Sequence, residues 1–368
     1  MKKIIYLFAA LTLSSCIYPY TPEIDERDYT QSLVIDANIL LGNTSTITLS
    51  YLQPLDIDHS LVYGRPKGEV YLEDSEGGKY PAYGYYDRYR IAPFPAKDNA
   101  QYRLTVIVDG KTYHSEWIEP TAPPEITDVK FTADDTRVFV MLSMEDHGQG
   151  SGYASLTFEE IWRFHTDYIR LYGYIPESNS VYMLMAPDDE HHWCWRKNIT
   201  GYSYNINYSA LDGVVENYAI FSFLRTSDRN HQEYNIRVKV WNLTPEQYRY
   251  RKMLEDNESI GGNLFSPEPG EVSGNVYCES DKTERVYGYV NVSRVVTKDA
   301  TLNNRYDRWV TPKNLIDIKP EDYLKYYENG YNPVEQITTA AGTVVGWGSG
   351  RCYDCVLAGG TLEKPSFD

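Results

Sequence analysis

The chain has 368 residues, with 52 acidic against 35 basic side chains and a net charge of −17. A field of that sign repels polyanions, which excludes nucleic acid as a partner, and the length allows two domains with real cores. Thirty-five tyrosines against ten phenylalanines point to pleated, half-buried surfaces and to rings able to act as contact residues.

Lys2 and Lys3 precede a short apolar run, Ile4 to Leu13. The run is too short to cross a bilayer and reads as the core of a signal peptide. Leu13-Ser14-Ser15-Cys16 follows as a lipobox. The expectation is removal of residues 1–15 and acylation of Cys16 with palmitate-like chains, several on one residue giving stable anchoring. Cleavage lowers Lys+Arg from 35 to 33 against 52 acids, so the mature charge is −19. An ordinary secretory leader followed by a chance cysteine is the alternative. Residues 16–30 read as an extended tether carrying Pro19 and Pro22 and no apolar periodicity.

Residues 31–120 then read as an N-terminal β-sandwich of immunoglobulin-like or transthyretin-like kind. Leu33, Ile35 and Ala37 alternate with polar or outward positions, and Thr46 to Leu52 alternates in the same way. Further strands are expected at Gly68–Leu72, Lys79–Ile91, Tyr102–Asp109 and Lys111–Ile118. Asp109-Gly110 marks a two-residue hairpin, because both turn positions need positive φ. Tyr83, Tyr85, Tyr86 and Tyr89 are dense enough to stand as a ligand-contact candidate, against the plainer reading of strand tyrosines with wet hydroxyls. Pro120, Pro123 and Pro124 cannot continue a ladder, so residues 119–124 read as a stiff linker.

Residues 121–368 read as a larger β-rich domain with one or more short helices. Strands are expected at Ile126–Phe131, Arg137–Met144, Ser180–Met185, Gly201–Tyr208, Tyr218–Leu224, Tyr234–Leu243, Asn275–Tyr277 and Val286–Val296. Tyr153–Tyr168 is strand-rich, but Phe158, Ile161, Trp162 and Phe164 fit no single period. Thr244 caps a helix with Pro245 at its first position and Gln247 completing a capping box; it should reach Glu255 and turn Tyr248, Met253 and Leu254 inward. The rest reads as irregular, weighted on Gly346-Trp-Gly-Ser-Gly350 and a cysteine pair.

Besides Cys16 there are four cysteines, Cys194, Cys278, Cys352 and Cys355. An even number outside the cytoplasm points to two disulfides with three possible connectivities. The favoured pairing is a local Cys352–Cys355 clip and a long Cys194–Cys278 bridge. A redox Cys-x-x-Cys would open a helix in a βαβ unit, and no such unit is evident. Asp188-Asp-Glu-His-His192 is rich in possible ligands, but adjacent histidines on a strand point to opposite faces, so no metal site is expected. There is no Gly-x-Ser-x-Gly, no phosphate loop and no dinucleotide fingerprint. Glu159-Glu160 and Asp188-Asp189 carry no weight as acid/base pairs in so acidic a chain. No enzyme activity and no cofactor are expected.

From about residue 31 onward the chain resembles the DUF4249 family of uncharacterised Bacteroidetes lipoproteins. The likeness rests on Cys194-Trp195, Tyr234-Asn-Ile-Arg-Val-Lys239, Leu243-Thr-Pro-Glu-Gln-Tyr248, Asn263 to Pro269, Gly274-Asn275-Val276, Tyr287-Gly-Tyr289, and Cys352 to Pro365. Where family tails read Lys-Pro-x-Phe-Trp, this chain has Phe367-Asp368. The resemblance implies an outer-membrane lipoprotein acting with a TonB-dependent transporter in ligand capture, delivery or gating. The alternative is a structural or scaffolding envelope protein with no small ligand. Glu23, Asp25 and Glu26 loosely match the acidic export signal of such lipoproteins, which favours the cell surface over a periplasm-facing position.

Overall fold

In strand β1 (Leu33–Leu41) every second residue, Leu33, Ile35, Ala37, Ile39 and Leu41, is buried, as the pleat demands when one face covers a core. The computed structural model describes residues 32–52, 66–85, 87–146, 151–201, 203–259, 274–302, 315–340 and 342–367. The leader, Cys16, the tether, Tyr86 and the segment Asn263 to Pro269 lie outside the described residues. After β1 come β2 (Ser45–Tyr51), β3 (Gly68–Asp74), β4 (Lys79–Tyr85), β5 (Arg88–Ile91), β6 (Tyr102–Val108) and β7 (Lys111–Ser115). Asp109 and Gly110 have φ of 52° and 78° and close the β6–β7 hairpin, the turn read from the sequence.

Strand β4 turns the corner of this body. Its first residues pair with β3 and Ala82–Tyr85 pair with β5, so one long sheet folds back on itself. Leu33, Ile47, Val70, Leu72, Tyr102 and Val106, from both halves, share one apolar core. That is the expected sandwich.

The second body contains β8 (Glu125–Ala133), β9 (Arg137–Glu145), β10 (Tyr153–His165), β11 (Arg170–Ile175), β12 (Ser180–Asp188), β13 (Trp193–Ile199), β14 (Tyr204–Asn207), β15 (Val214–Leu224) and β16 (Tyr234–Asn242). A sheet in the order β15-β9-β8 faces one in which β10 lies between β13 and β16, with β14 also on β10. Val138, Val140, Leu142, Leu156, Phe158, Ile236 and Val238 fill the space between them. β10 explains its own ambiguity. Leu156, Phe158, Trp162 and Phe164 face the core, and Glu160 takes the inward position between Phe158 and Trp162. A carboxylate where an apolar residue was due hides the period.

Helix α1 (Pro245–Ser259) opens as expected: the Gln247 amide N–H donates to Thr244 Oγ1 at 3.2 Å and the Thr244 N–H to Gln247 Oε1 at 2.8 Å. Its inward face differs. Gln247 and Tyr250 are buried while Leu254 is 39% exposed, because the helix packs through Tyr250 on Tyr289 and through Gln247 on Asn291. Tyr248 instead stacks on Tyr153.

The chain then returns to the first body. β17 (Val276–Cys278) pairs with β7, β18 (Val290–Arg294) runs parallel to β1, and β19 (Val296–Leu302) joins β16 in the second body. The first sandwich therefore takes its edge strands from residues 276–294 and not from the N-terminal segment alone. A Cβ on Gly288 (φ 108°) would sit 2.0 Å from the Ile35 carbonyl oxygen, so the close crossing requires glycine. A polar joint fixes the two bodies. Thr121 Oγ1 donates to the Asn242 carbonyl at 2.8 Å, Asn242 Nδ2 to the Ala122 carbonyl at 2.9 Å, and Ser293 Oγ to the Asn242 carbonyl at 3.2 Å.

Residues 315–349 correct the expectation of irregular structure. They form β20 (Ile316–Asp317), α2 (Tyr323–Glu328), β21 (Tyr331–Thr339) and β22 (Gly342–Ser349), in the sheet order β20-β22-β21. The β11–β12 hairpin lies against β21. Tyr174, Ile318 and Trp347 form the core of this third lobe, with Val181, Tyr323, Tyr326 and Tyr331 around them. Glycine concealed the strand: a Cβ on Gly346 would come within 2.8 Å of Leu315, so tight packing beside Trp347 needs residues of low strand propensity.

Candidate functional site

The tyrosine cluster divides. Tyr83 is 72% exposed on β4, whereas Tyr89 is buried and its hydroxyl accepts from the Gly68 N–H at 3.1 Å. Tyr89 is thus a core residue, not a contact residue. Tyr85 ends β4, and Tyr86 lies outside the described residues.

The cysteines pair differently from the favoured reading. Cys194 bonds Cys355 across 161 residues, while Cys278 and Cys352 are free and buried. Cys278 sits in the core of the first sandwich and Cys194 in that of the second, so two separate cores hold the thiols apart. Cys352 faces Ser349 at 3.6 Å. The tail continues along β13: Thr361 and Trp195 exchange backbone hydrogen bonds at 2.9 and 2.7 Å, Lys364 pairs with Glu233 at 2.7 Å, and Phe367 lies under the Arg237 guanidinium.

The ligand-rich segment serves this clip. His191 Nδ1 lies 2.9 Å from an Asp354 carboxylate oxygen, and the Cys355 N–H donates to the His191 carbonyl. The hydrogen bond that its ring N–H donates to Asp354 raises the His191 pKa. His192 faces the other way, towards Thr166 Oγ1 at 2.7 Å and the ring of His165. Burial, with the neighbouring His165, lowers its pKa. Among the described residues no three His, Cys, Asp or Glu groups converge to hold a metal ion.

Sequence reasoning missed the ion pair in the second core. The fully buried Glu160 carboxylate accepts from Arg229 Nε at 2.6 Å and Nη2 at 3.1 Å, from Tyr234 Oη at 2.9 Å and from Asn198 Nδ2 at 2.7 Å. Burial opposes the Arg229 charge, yet Glu160 raises its pKa; burial and the same carboxylate push Tyr234 well up. With every lone-pair direction used, the carboxylate ties β10 to β13, to β16 and to the turn that carries Arg229. Glu159 faces the opposite side of the sheet, towards Lys239 at 2.9 Å.

The surface that presents contact chemistry is on the third lobe. Tyr182 (45%), Met183 (69%) and Met185 (107%) are exposed on β12. Among the described residues β12 pairs only with β11. A register shift between Arg170 and Tyr172 leaves Leu184 to Pro187 as a bulge, which re-aims Met185 outward. Tyr182 lies across Gly173, where a Cβ would meet its ring at 2.5 Å. Leu324 and Tyr327 are exposed on α2. Residues 167–190 and 315–355 together hold eleven acids against four Lys or Arg, so flexible apolar side chains stand within a negative field. Methionine side chains are flexible and re-pack readily against what they meet.

No described helix is long and apolar enough to cross a membrane. The family model described as "Domain of unknown function (DUF4249)" matches residues 17–299, which leaves β20 to β22 beyond the matched segment. No curated protein matches the chain. Among solved structures, a two-domain fibronectin type-III segment of chicken tenascin is similar over 57% of this chain and 89% of that chain, at 7% identity and a TM-score of 0.17.

Proposed function

We propose, for a chain that belongs to the DUF4249 family, a lipid-anchored outer-membrane protein that works as a non-enzymatic accessory of a TonB-dependent transporter. The leader and Cys16 support the anchor, and acidic residues soon after it favour the cell surface. The observation that carries the partner reading is the water-facing β12 strand. Met183 and Met185 project beyond the lobe's own core, and the acid excess around them suits a partner whose docking face is basic and apolar.

The test is affinity purification from detergent-solubilised outer membrane, with wild type beside a Met183→Asp, Met185→Asp variant. The expected result is stoichiometric recovery of a transporter with wild type and loss of at least about tenfold with the variant. Equal recovery by both would remove the β12 assignment, and recovery of no transporter would remove the accessory role. Mass spectrometry of the mature chain should find acyl groups on Cys16; an unmodified thiol there would remove the anchor.

A further inference from the structure

We infer that the open edge of the second sandwich is a binding site for a neutral saccharide. A cleft of about 290 Å³ opens there between β14, β15 and the end of α1, at the small end of the range for ligand pockets. Leu156 and Ile220 form its buried floor, Tyr204 and Tyr218 its walls, and Ser203, Asn205 and Glu255 its polar side.

The cleft is a built feature of β15. In a regular strand only alternate residues face one side, yet Tyr218, Ala219 and Ile220 all line this opening. Two register shifts, between Val215 and Tyr218 and between Ala219 and Phe221, make that possible. Asn217 takes a left-handed conformation (φ 52°) at the first shift, its N–H held by Ser143 Oγ at 3.0 Å. Consecutive bulges cost ladder hydrogen bonds and are found where side chains are re-aimed.

The lining selects the ligand class. Tyr204 is fixed by parallel stacking on Phe158 (9° between ring planes), and Tyr218 is 44% exposed; aromatic faces with a polar tip suit a ligand that is apolar on one side and wet on the other. Asn205 Nδ2 donates to Glu255 Oε1 at 2.7 Å, which orients the carboxylate. Ser203 Oγ accepts from Arg251 Nη1 at 2.6 Å, leaving its own proton to donate. No lysine or arginine lines the cleft, and the Arg251 guanidinium beside Ser203 is offset by the Asp36 and Glu255 carboxylates, so an anion meets no uncompensated positive charge. A purely apolar ligand would strip water from Ser203, Asn205 and Glu255 without replacing their hydrogen bonds, which is costly. A ligand whose hydroxyls meet acceptor and donor groups while its C–H face covers tyrosine satisfies both sides. The inference stands apart from the anchor and from β12.

The test uses the full purified chain in detergent and isothermal titration with maltose, cellobiose, mannobiose, xylobiose and their tetrasaccharides, with digalacturonate as the anionic control. At least one neutral sugar should bind, digalacturonate should bind at least about tenfold more weakly, and Tyr218→Ala and Glu255→Gln should each weaken binding by about tenfold or more. Tyr277→Ala, exposed on β17 of the other sandwich, should leave it unchanged. Because Tyr218 is exposed, its variant should keep the wild-type circular dichroism, which separates lost binding from lost fold. Binding of no neutral sugar at roughly 10 mM, or binding unaffected by both cleft substitutions, would overturn the assignment.

Discussion

The two sandwiches solve the same packing problem with different chemistry. The first fills its core with Leu33, Ile35, Ile39, Ile47, Leu49 and Val106, and its buried carboxylate, Asp74, sits at the β3–β4 turn. There it accepts from the Gly78 and Glu76 N–H groups, from Tyr80 Oη and from Lys97 Nζ. The second carries Glu160 and Arg229 through its middle and adds a disulfide. The difference follows from the work each body does. The second must hold a tail, a third lobe and an opened strand edge, and directional bonds fix such attachments where apolar contact alone leaves them free to slide. Removing one partner of such a buried pair is costly, because it leaves the other charge uncompensated.

The largest way to break that contrast is Arg229→Ala, which strands the Glu160 charge among aromatic rings. It should cost about 3–5 kcal/mol, read as a lower urea midpoint with an unchanged slope. Ile47→Ala in the first core should cost about 2–5 kcal/mol through lost burial and a residual cavity. The joint between the bodies lets a second comparison be made on the same samples, since a single transition in both variants would show that the sandwiches unfold together.

Replacing Cys194 and Cys355 together by alanine should cost about 2–4 kcal/mol, and proteolysis should then release the tail first. Both must be changed, because Cys194→Ala alone frees Cys355 to react with Cys352.

The smallest effect depends on pH. Burial favours the neutral form of Asp74, but Lys97, Tyr80 and two backbone N–H groups hold its pKa down to about 2. A depressed folded pKa gives stability that is present above the ordinary aspartate value and lost as pH falls through the folded one. Wild type should therefore lose stability between about pH 4 and pH 2, and Asp74→Asn should lose less over that window, measured by thermal melts at stepped pH.

Local rules were legible in the chain. The alternation in β1, the Asp109-Gly110 turn and the Thr244–Gln247 cap each depend on residues within a few positions of one another, and each stands where the sequence placed it. Two of the segments that carry the family likeness turn out to be joints: Tyr287-Gly-Tyr289 seats the returning chain on β1, and the Asn275 side chain bonds both backbone groups of Val290. That role follows from contacts between distant segments and has no local pattern.

The amino-acid order alone determined a mostly β chain and its first sandwich, because pleat and turn are short-range properties. Tertiary structure decided the disulfide partner, the inward glutamate, the glycine-rich strand beside Trp347, and which tyrosines meet water. Each of these depends on which distant surface arrives opposite a residue, and neither spacing nor propensity encodes that.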